Sequence, residues 1–389
     1  MCAASSVRAG VWGMDPVLGI IGDYATNPAL LERAGTAETN GAVLLDAPTT
    51  YNGNGFEFFV LPSFRLSNSE GYASMASDYE HLNVKGEFDT DRSTWTMAAG
   101  ANRDSSLYAD YLANGSVGVR RDSLTADLNW DRHLTERLEL DTDVDTLQVR
   151  FGQAAGISNL TDYKDTSISP TLSWNSSERD KLTLSASVGK YDALDVSSES
   201  RSANLQVGFV RQLTEIWSLT ANAGYSRALN RLAFNEEFLV ETPEGLAIEI
   251  VPIKEESSQN GAVYSVDVGR KGERLSFDAI ASRTLAPTGY AFLSKQNLVQ
   301  LTATYTCSAR WSFTGSAYYA QAQNPQLQGG IITQTPKNIS LSANWRWTEF
   351  WTVTLNAARV EDRFQPPGNS IGSSEVSIKI SRQFNHIKF

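Results

Sequence analysis

Between Arg201 and Arg227 the chain reads RSANLQVGFVRQLTEIWSLTANAGYSR. Leu205, Val207 and Phe209 alternate with Asn204, Gln206 and Gly208. After the polar break RQLTE, Trp217, Leu219, Ala221, Ala223 and Tyr225 alternate with Ser218, Thr220, Asn222 and Gly224. Alternation with a period of two means extended strands, because successive side chains leave a strand on opposite faces. Each run approaches the roughly 9–11 residues that a tilted strand needs to cross a bilayer. One face is apolar and ends in rings, and the other is small, polar and uncharged. Aromatic rings at the ends of such strands suit the two membrane–water interfaces. The stretch is therefore expected to be one hairpin of a transmembrane β-barrel.

The same unit recurs along the chain. Compact turns are read at Thr49–Asn54, Thr90–Ser93, Arg132–Arg137, Asn175–Asp180, Arg211–Ile216, Arg270–Arg274, Cys307–Arg310 and Arg346–Phe350. Several share a flavour: HLTERLEL, QLTEIWSL, RWTEFWTV and SARWSF. This is a repeat at the period of a hairpin. Loops rich in Gly, Ser, Asn, Asp and Pro are read at about 25–40, 68–78, 104–116, 152–163, 191–200, 227–261, 285–296, 320–337 and 361–373. Eight turns and nine loops require eighteen strands, an even number with both termini on the short-turn side. The expectation is a single all-β, up-and-down antiparallel barrel over 15–389, preceded by a periplasmic segment over 1–14. Its short turns are periplasmic and its long loops extracellular. A soluble sandwich or propeller would bury the apolar face instead.

Composition narrows the function classes. No run of 18 apolar residues exists, which excludes a membrane helix. A net charge of −11 argues against a nucleic-acid partner. Cys2 and Cys307 are too few for a disulfide framework. The opening MCAASSVRAG lacks a charged and apolar export signal, so that signal is inferred to be missing or removed, with Cys2 a candidate for lipidation.

Candidate sites follow from placement on strands. Trp95, Trp130, Trp217, Trp311, Trp345 and Trp351 adjoin short turns and are expected to form an aromatic girdle at the periplasmic interface. Glu87, Asp89, Asp127, Asp131, Glu139, Asp141, Asp143 and Asp145 share the polar parity of neighbouring strands and are expected to line the lumen near one mouth. The triplet Asp141, Asp143 and Asp145 looks like the start of a calcium loop, but Thr146 and Gly152 stand where that loop needs Gly and Glu. His81, His133 and His386 show no ligand spacing, and no nucleophile, metal or phosphate motif is present, so no cofactor and no enzymatic activity are expected. Leu138, Leu140 and Val144 lie on one parity while Leu147, Val149 and Phe151 lie on the other, which predicts a bulge near Thr146. Pro62 and Pro170 fall inside strands, where each removes a ladder donor. Within 227–261, Pro243-Glu244-Gly245 flanked by apolar alternation predicts a two-stranded flap over the external mouth.

Two resemblances add to this reading. A strand ending in Phe389 resembles the C-terminal signal that the barrel assembly machinery reads, although Val376, Ile378 and Ile380 are out of phase with Ile387 and Phe389. DYATNPAL at Asp23–Leu30, the LTExW turn at Leu213–Trp217 and the stretch Ser169–Tyr191 (SPTLSW, then SERDKLTLSASVGKY) resemble outer-membrane barrels associated with exopolysaccharide export systems. That resemblance implies an outer-membrane conduit, with outer-membrane lipid, the assembly machinery and polysaccharide or envelope export proteins as partners. The alternatives are a general or substrate-selective porin for small solutes, and a structural barrel that holds another envelope protein. Barrels that sheath multihaem cytochromes share the strand style, but this chain has no CxxCH haem site.

Overall fold

The computed structural model describes residues 10–27, 37–53, 55–68, 78–105, 119–152, 160–194, 197–242, 245–288, 293–325, 331–365, 368 and 370–388; at 232–255, 324–325, 332 and 364 only the backbone is described. Every strand pairs antiparallel with its neighbours, and the sheet closes where Val17–Ala25 meets Ser370–Gln383, Ile20 facing Ile380. No helix lies among the described residues. Among the described residues twenty-two strand segments occur, but four pairs of segments are single strands with a short break. The barrel therefore has eighteen strands, 22 segments less four breaks.

Three of the breaks fall at prolines. Asp15–Pro16, Ala47–Pro48 and Thr335–Pro336 each interrupt a strand whose register continues unchanged beyond them. Thus Asp46 faces Ser63 and, past Pro48, Thr49 faces Val60. Proline lacks the amide that the ladder needs, so pairing lapses for two residues without changing which face a side chain takes. Pro62 sits within its strand opposite Leu82. Pro170 sits opposite Thr142, and the ladder on its other side skips from Ile168–Val188 to Thr171–Ser185. The segment Val11–Met14 is part of the sheet and pairs with Tyr51 and Thr50 on one side and Lys388 on the other.

The fourth break explains the phase slip at the C-terminus. Val17 faces Gln383, but Met14 faces Ile387, so Phe384, Asn385 and His386 oppose only Asp15 and Pro16. One extra residue on one strand is a bulge, and it shifts all later side chains to the other face. Phe389 itself lies outside the described residues.

The bulge expected near Thr146 is absent. Leu138–Phe151 pairs in one unbroken register with Arg120–His133, from His133↔Glu139 to Arg121↔Phe151. Leu147, Val149 and Phe151 face inward, with Val149 buried beside Tyr163 and Tyr191 and with Leu147 and Phe151 packed against that cluster. The parity change marks a change in what the inner face touches, not a change in the backbone.

The repeated turn sequence has a hydrogen-bonding cause. In Leu213–Trp217 the Trp217 carbonyl accepts from the Leu213 and Thr214 amides, at 2.9 and 3.2 Å. The Thr214 hydroxyl accepts from the Ile216 and Trp217 amides, at 3.3 and 3.1 Å. Thr135, Thr348 and Ser308 do the same in their turns. A hydroxyl at this place satisfies amides that a four-residue turn would leave unpaired.

The longest pair of strands is Trp217–Thr242 with Gly245–Lys271, joined in one register from Trp217↔Arg270 to Thr242↔Gly245. Its outer part continues well past the neighbouring partners, which stop at Ala233 and Tyr264. The loops read at 191–200 and 320–337 are shorter than expected, since strands run on to Ala193 and Pro325 and resume at Ser197 and Ile331.

Candidate functional site: an acidic inner wall and a narrowed long-loop end

Closure fixes two faces. Leu124, Met97, Leu205, Val207, Leu341 and Val376 point outward and are 56–64% exposed. A ring of unsatisfied apolar side chains around a closed sheet is what hydrocarbon solvates, and closure leaves no backbone edge unpaired. The chain is therefore a transmembrane β-barrel of the outer-membrane class.

The tryptophans adjoining the short turns all take the outward parity. Trp95 stacks on Trp130 at 5.5 Å, and Trp311 on Trp345 at 5.7 Å. Arg270 lies over Trp217 and Arg382 over Trp351, at 5.9 and 5.6 Å. A ring with a cation over it suits an interface, where one side is oily and the other wet.

The polar parity faces inward. Register carries it from strand to strand: Glu87 faces Thr96, Thr96 faces Asn129 and Asn129 faces Asp143. Asp89 joins in through Thr94, which faces Asp131. Asp127 faces Asp145, Asp131 faces Asp141, and His133 faces Glu139. All eight carboxylates thus stand on one inner wall, near the turns that end at Ser93 and Leu138. Asp89 and Asp127 are exposed although they face inward, so the lumen beside them is open to water.

Several partners on this wall are not evident from the sequence. The Asn129 amide donates to Asp141 at 3.1 Å and to Asp143 at 2.7 Å. The Thr94 hydroxyl donates to Asp89 at 2.6 Å, and Ser167 to Asp145 at 3.3 Å. Lys85 pairs with Glu87 and Lys181 with Glu139, both at 3.0 Å. Glu57, facing Glu87, adds a further carboxylate. The signal for these was parity on the adjacent strands, which names the inward residues once the register is known.

Asp131, His133 and Glu139 come together with their ligand atoms within 4.8 Å of one another. Sequence spacing gave no hint of this, because the turn between strands brings them face to face. The Lys181 ammonium already neutralises Glu139, so the trio reads as an ion-paired cluster at the end of the acidic wall.

Toward the long-loop end the lumen narrows. Tyr163 and Tyr191 stack at 5.4 Å, buried with Val149, Ala193, Ala228 and Leu293. The Tyr191 hydroxyl donates to the backbone carbonyl of Thr288 at 2.7 Å. Thr288 follows the strand Leu275–Pro287, which is not a neighbour of Tyr191's strand in the barrel wall. Thr288 is therefore tied to a strand four places away round the wall.

No protein-family model matches the chain, and no curated protein matches it. Among solved structures, OpdK of Pseudomonas aeruginosa, crystallised with vanillate, is 11% identical with a TM-score of 0.47, covering 96% of this chain and 99% of its own. OccK2 (OpdF) of Pseudomonas aeruginosa, in complex with glucuronate, is 9% identical with a TM-score of 0.46, covering 96% and 98%. The FrpB iron transporter of Neisseria meningitidis is 10% identical with a TM-score of 0.48, covering 97% and 83%. None of the three is described as a polysaccharide exporter. Likenesses this distant carry nothing about cargo, and the fold rests on the strand pairing itself.

Proposed function

We propose that the chain is a selective outer-membrane channel of the porin type, passing small polar solutes and favouring cations. One observation carries this reading: carboxylates from four of five adjacent strands share one stretch of inner wall, with Lys85 and Lys181 the cations paired to them. Charge of one sign on a water-filled path with apolar surroundings focuses the field and concentrates counter-ions. The stacked Tyr163 and Tyr191 rings reduce the opening to which this field applies. An exopolysaccharide conduit rests on the sequence resemblance alone, and this wall would repel an acidic polymer.

Reversal potentials in a salt gradient across planar bilayers test the proposal. The intact barrel should be cation-selective. Replacing Asp141, Asp143 and Asp145 together with Asn should lower the cation-to-anion permeability ratio by about twofold or more. Anion preference in the intact protein, or selectivity unmoved by the triple change, would overturn it.

A further inference from the structure

Not every inward carboxylate faces the water-filled path. On the strand Trp351–Gln365 the outward positions after Leu355 and Ala357 are Arg359, Glu361 and Arg363, so this strand has left the apolar belt before it ends. Asp362 lies there on the inward parity and is 1% exposed. Its Oδ2 accepts from the Gln334 side-chain amide at 2.7 Å, while its Oδ1 is buried with no hydrogen-bond partner. Pro336 and Ile371, on the two flanking strands, are buried as well. Among the described residues no cation pairs with Asp362. Lys337, Glu361 and Arg363 take the outward parity, and Trp311–Pro325 carries no charge. Glu375 and Lys379, the inward charges of Ser370–Gln383, stand opposite Ala358 and Thr354, nearer the short turns.

This carboxylate stands at a break in the ladder. Ile331–Gln334 is the outer piece of the strand that Thr335–Pro336 interrupts. Toward Trp351–Gln365 that piece is held by Thr333↔Gln365 and Gln334↔Phe364, and by the bonds between the Thr335 and Arg363 backbones at 2.8 and 3.4 Å. Regular pairing resumes at Lys337↔Glu361, which leaves Pro336 opposite Asp362 with no amide to donate. The side-chain bond from Gln334 to Asp362 therefore spans the gap that the proline leaves. A charge buried without a cation is costly, and a carboxyl so placed stays neutral instead. Burial pushes the Asp362 carboxyl up from 3.8 to about 6, against the opposite pull of the Gln334 amide and the Arg363 backbone amide.

We propose that Asp362 and Gln334 form an acid-closed clasp at the long-loop rim: the protonated carboxyl holds Ile331–Gln334 onto the strand Trp351–Gln365, and ionisation releases it. Released into water, the carboxyl returns to its ordinary value of 3.8, whereas in the clasp it titrates near 6. Closure is therefore strongest below about pH 4, weakens about tenfold per pH unit up to about pH 6, and is level above that. The whole change is about a hundredfold in the ratio of closed to open clasp. The clasp lies outside the acidic wall and is independent of what the channel passes.

The test uses the whole barrel in lipid nanodiscs, with hydrogen–deuterium exchange followed by mass spectrometry between about pH 4 and about pH 7. Rates are divided by those of free peptides of the same sequence, which removes the chemical effect of pH. Protection of Ile331–Thr335 should fall about a hundredfold across this range, while Ser340–Asn344, lower in the same strand, should not change. Asp362→Asn keeps the shape and cannot ionise, so its protection of Ile331–Thr335 should stay high throughout. Gln334→Leu removes the tie and should lower that protection even at the acid end. Protection of Ile331–Thr335 that is independent of pH in the unaltered barrel, an equal fall at Ser340–Asn344, or the same fall in Asp362→Asn would each overturn the clasp. The comparison of the two segments in the unaltered barrel stands even if a variant does not fold.

Discussion

At the scale of single residues, Gly224 shows how little slack the wall has. It lies opposite Gln206 in the hairpin that organises the chain. A Cβ at Gly224 would collide with the Leu205 carbonyl oxygen and approach the Gln206 Cα at 2.7 Å. Both are backbone atoms held by the ladder, so neither can yield as a flexible side chain would. Gly224→Ala is expected to destabilise the folded barrel by about 1–3 kcal/mol, the cost of overpacking a close contact. Urea unfolding in lipid vesicles, followed by tryptophan fluorescence, checks this; an unmoved midpoint would show that the two strands can separate locally. By contrast, a Cβ at Gly22 would meet only the Ile378 side chain at 3.8 Å, an ordinary contact. Gly22→Ala serves as the control that should fold normally.

At the scale of elements, the long pair Trp217–Thr242 and Gly245–Lys271 stands apart, because among the described residues its outer part has no flanking strand. An isolated two-stranded ribbon is marginal in water unless something covers it. The carboxylate surplus of this stretch suits a hydrated element, and we propose that it acts as a lid over the external mouth. Deleting Asn235–Lys254 leaves a two-residue connection between Leu232 and Glu255, which already face each other. The barrel should still fold, and permeability to larger solutes should rise in liposome swelling. Unchanged swelling by a folded deletion variant would reduce the ribbon to a surface decoration.

At the scale of the whole molecule, the wall is built by local pairing but the lumen is shaped by a contact between parts of the wall four strands apart. The Tyr191 ring packs against Tyr163 and Leu293, and its hydroxyl holds the Thr288 carbonyl. Tyr191→Ala removes both the ring and the tie, so the narrowing should be relieved and single-channel conductance should rise. Tyr191→Phe keeps the ring and loses one buried hydrogen bond, worth about 1 kcal/mol; its conductance should match the native value with more frequent closures or openings. Equal behaviour of the native, Phe and Ala forms would show that the narrow point lies elsewhere.

What the sequence determined by itself follows from the period of two. Because side chains alternate strictly, a run such as Leu124, Ala126, Leu128 and Trp130 against Thr125, Asp127, Asn129 and Asp131 states both faces of its strand without any partner. Strand number, direction and the inward set of acidic residues are legible for that reason, as are the turns, where Thr214 and its counterparts act within four residues. Tertiary structure decided whatever depends on a partner distant in the chain. Leu147, Val149 and Phe151 looked like a register slip because nothing local reveals that Tyr163 and Tyr191 await them inside. The bulge at Phe384–His386 exists only relative to Asp15 and Pro16, at the other end of the chain. Asn129 bridges Asp141 and Asp143, and Asp131 meets His133 and Glu139, only after the register of two strands is set.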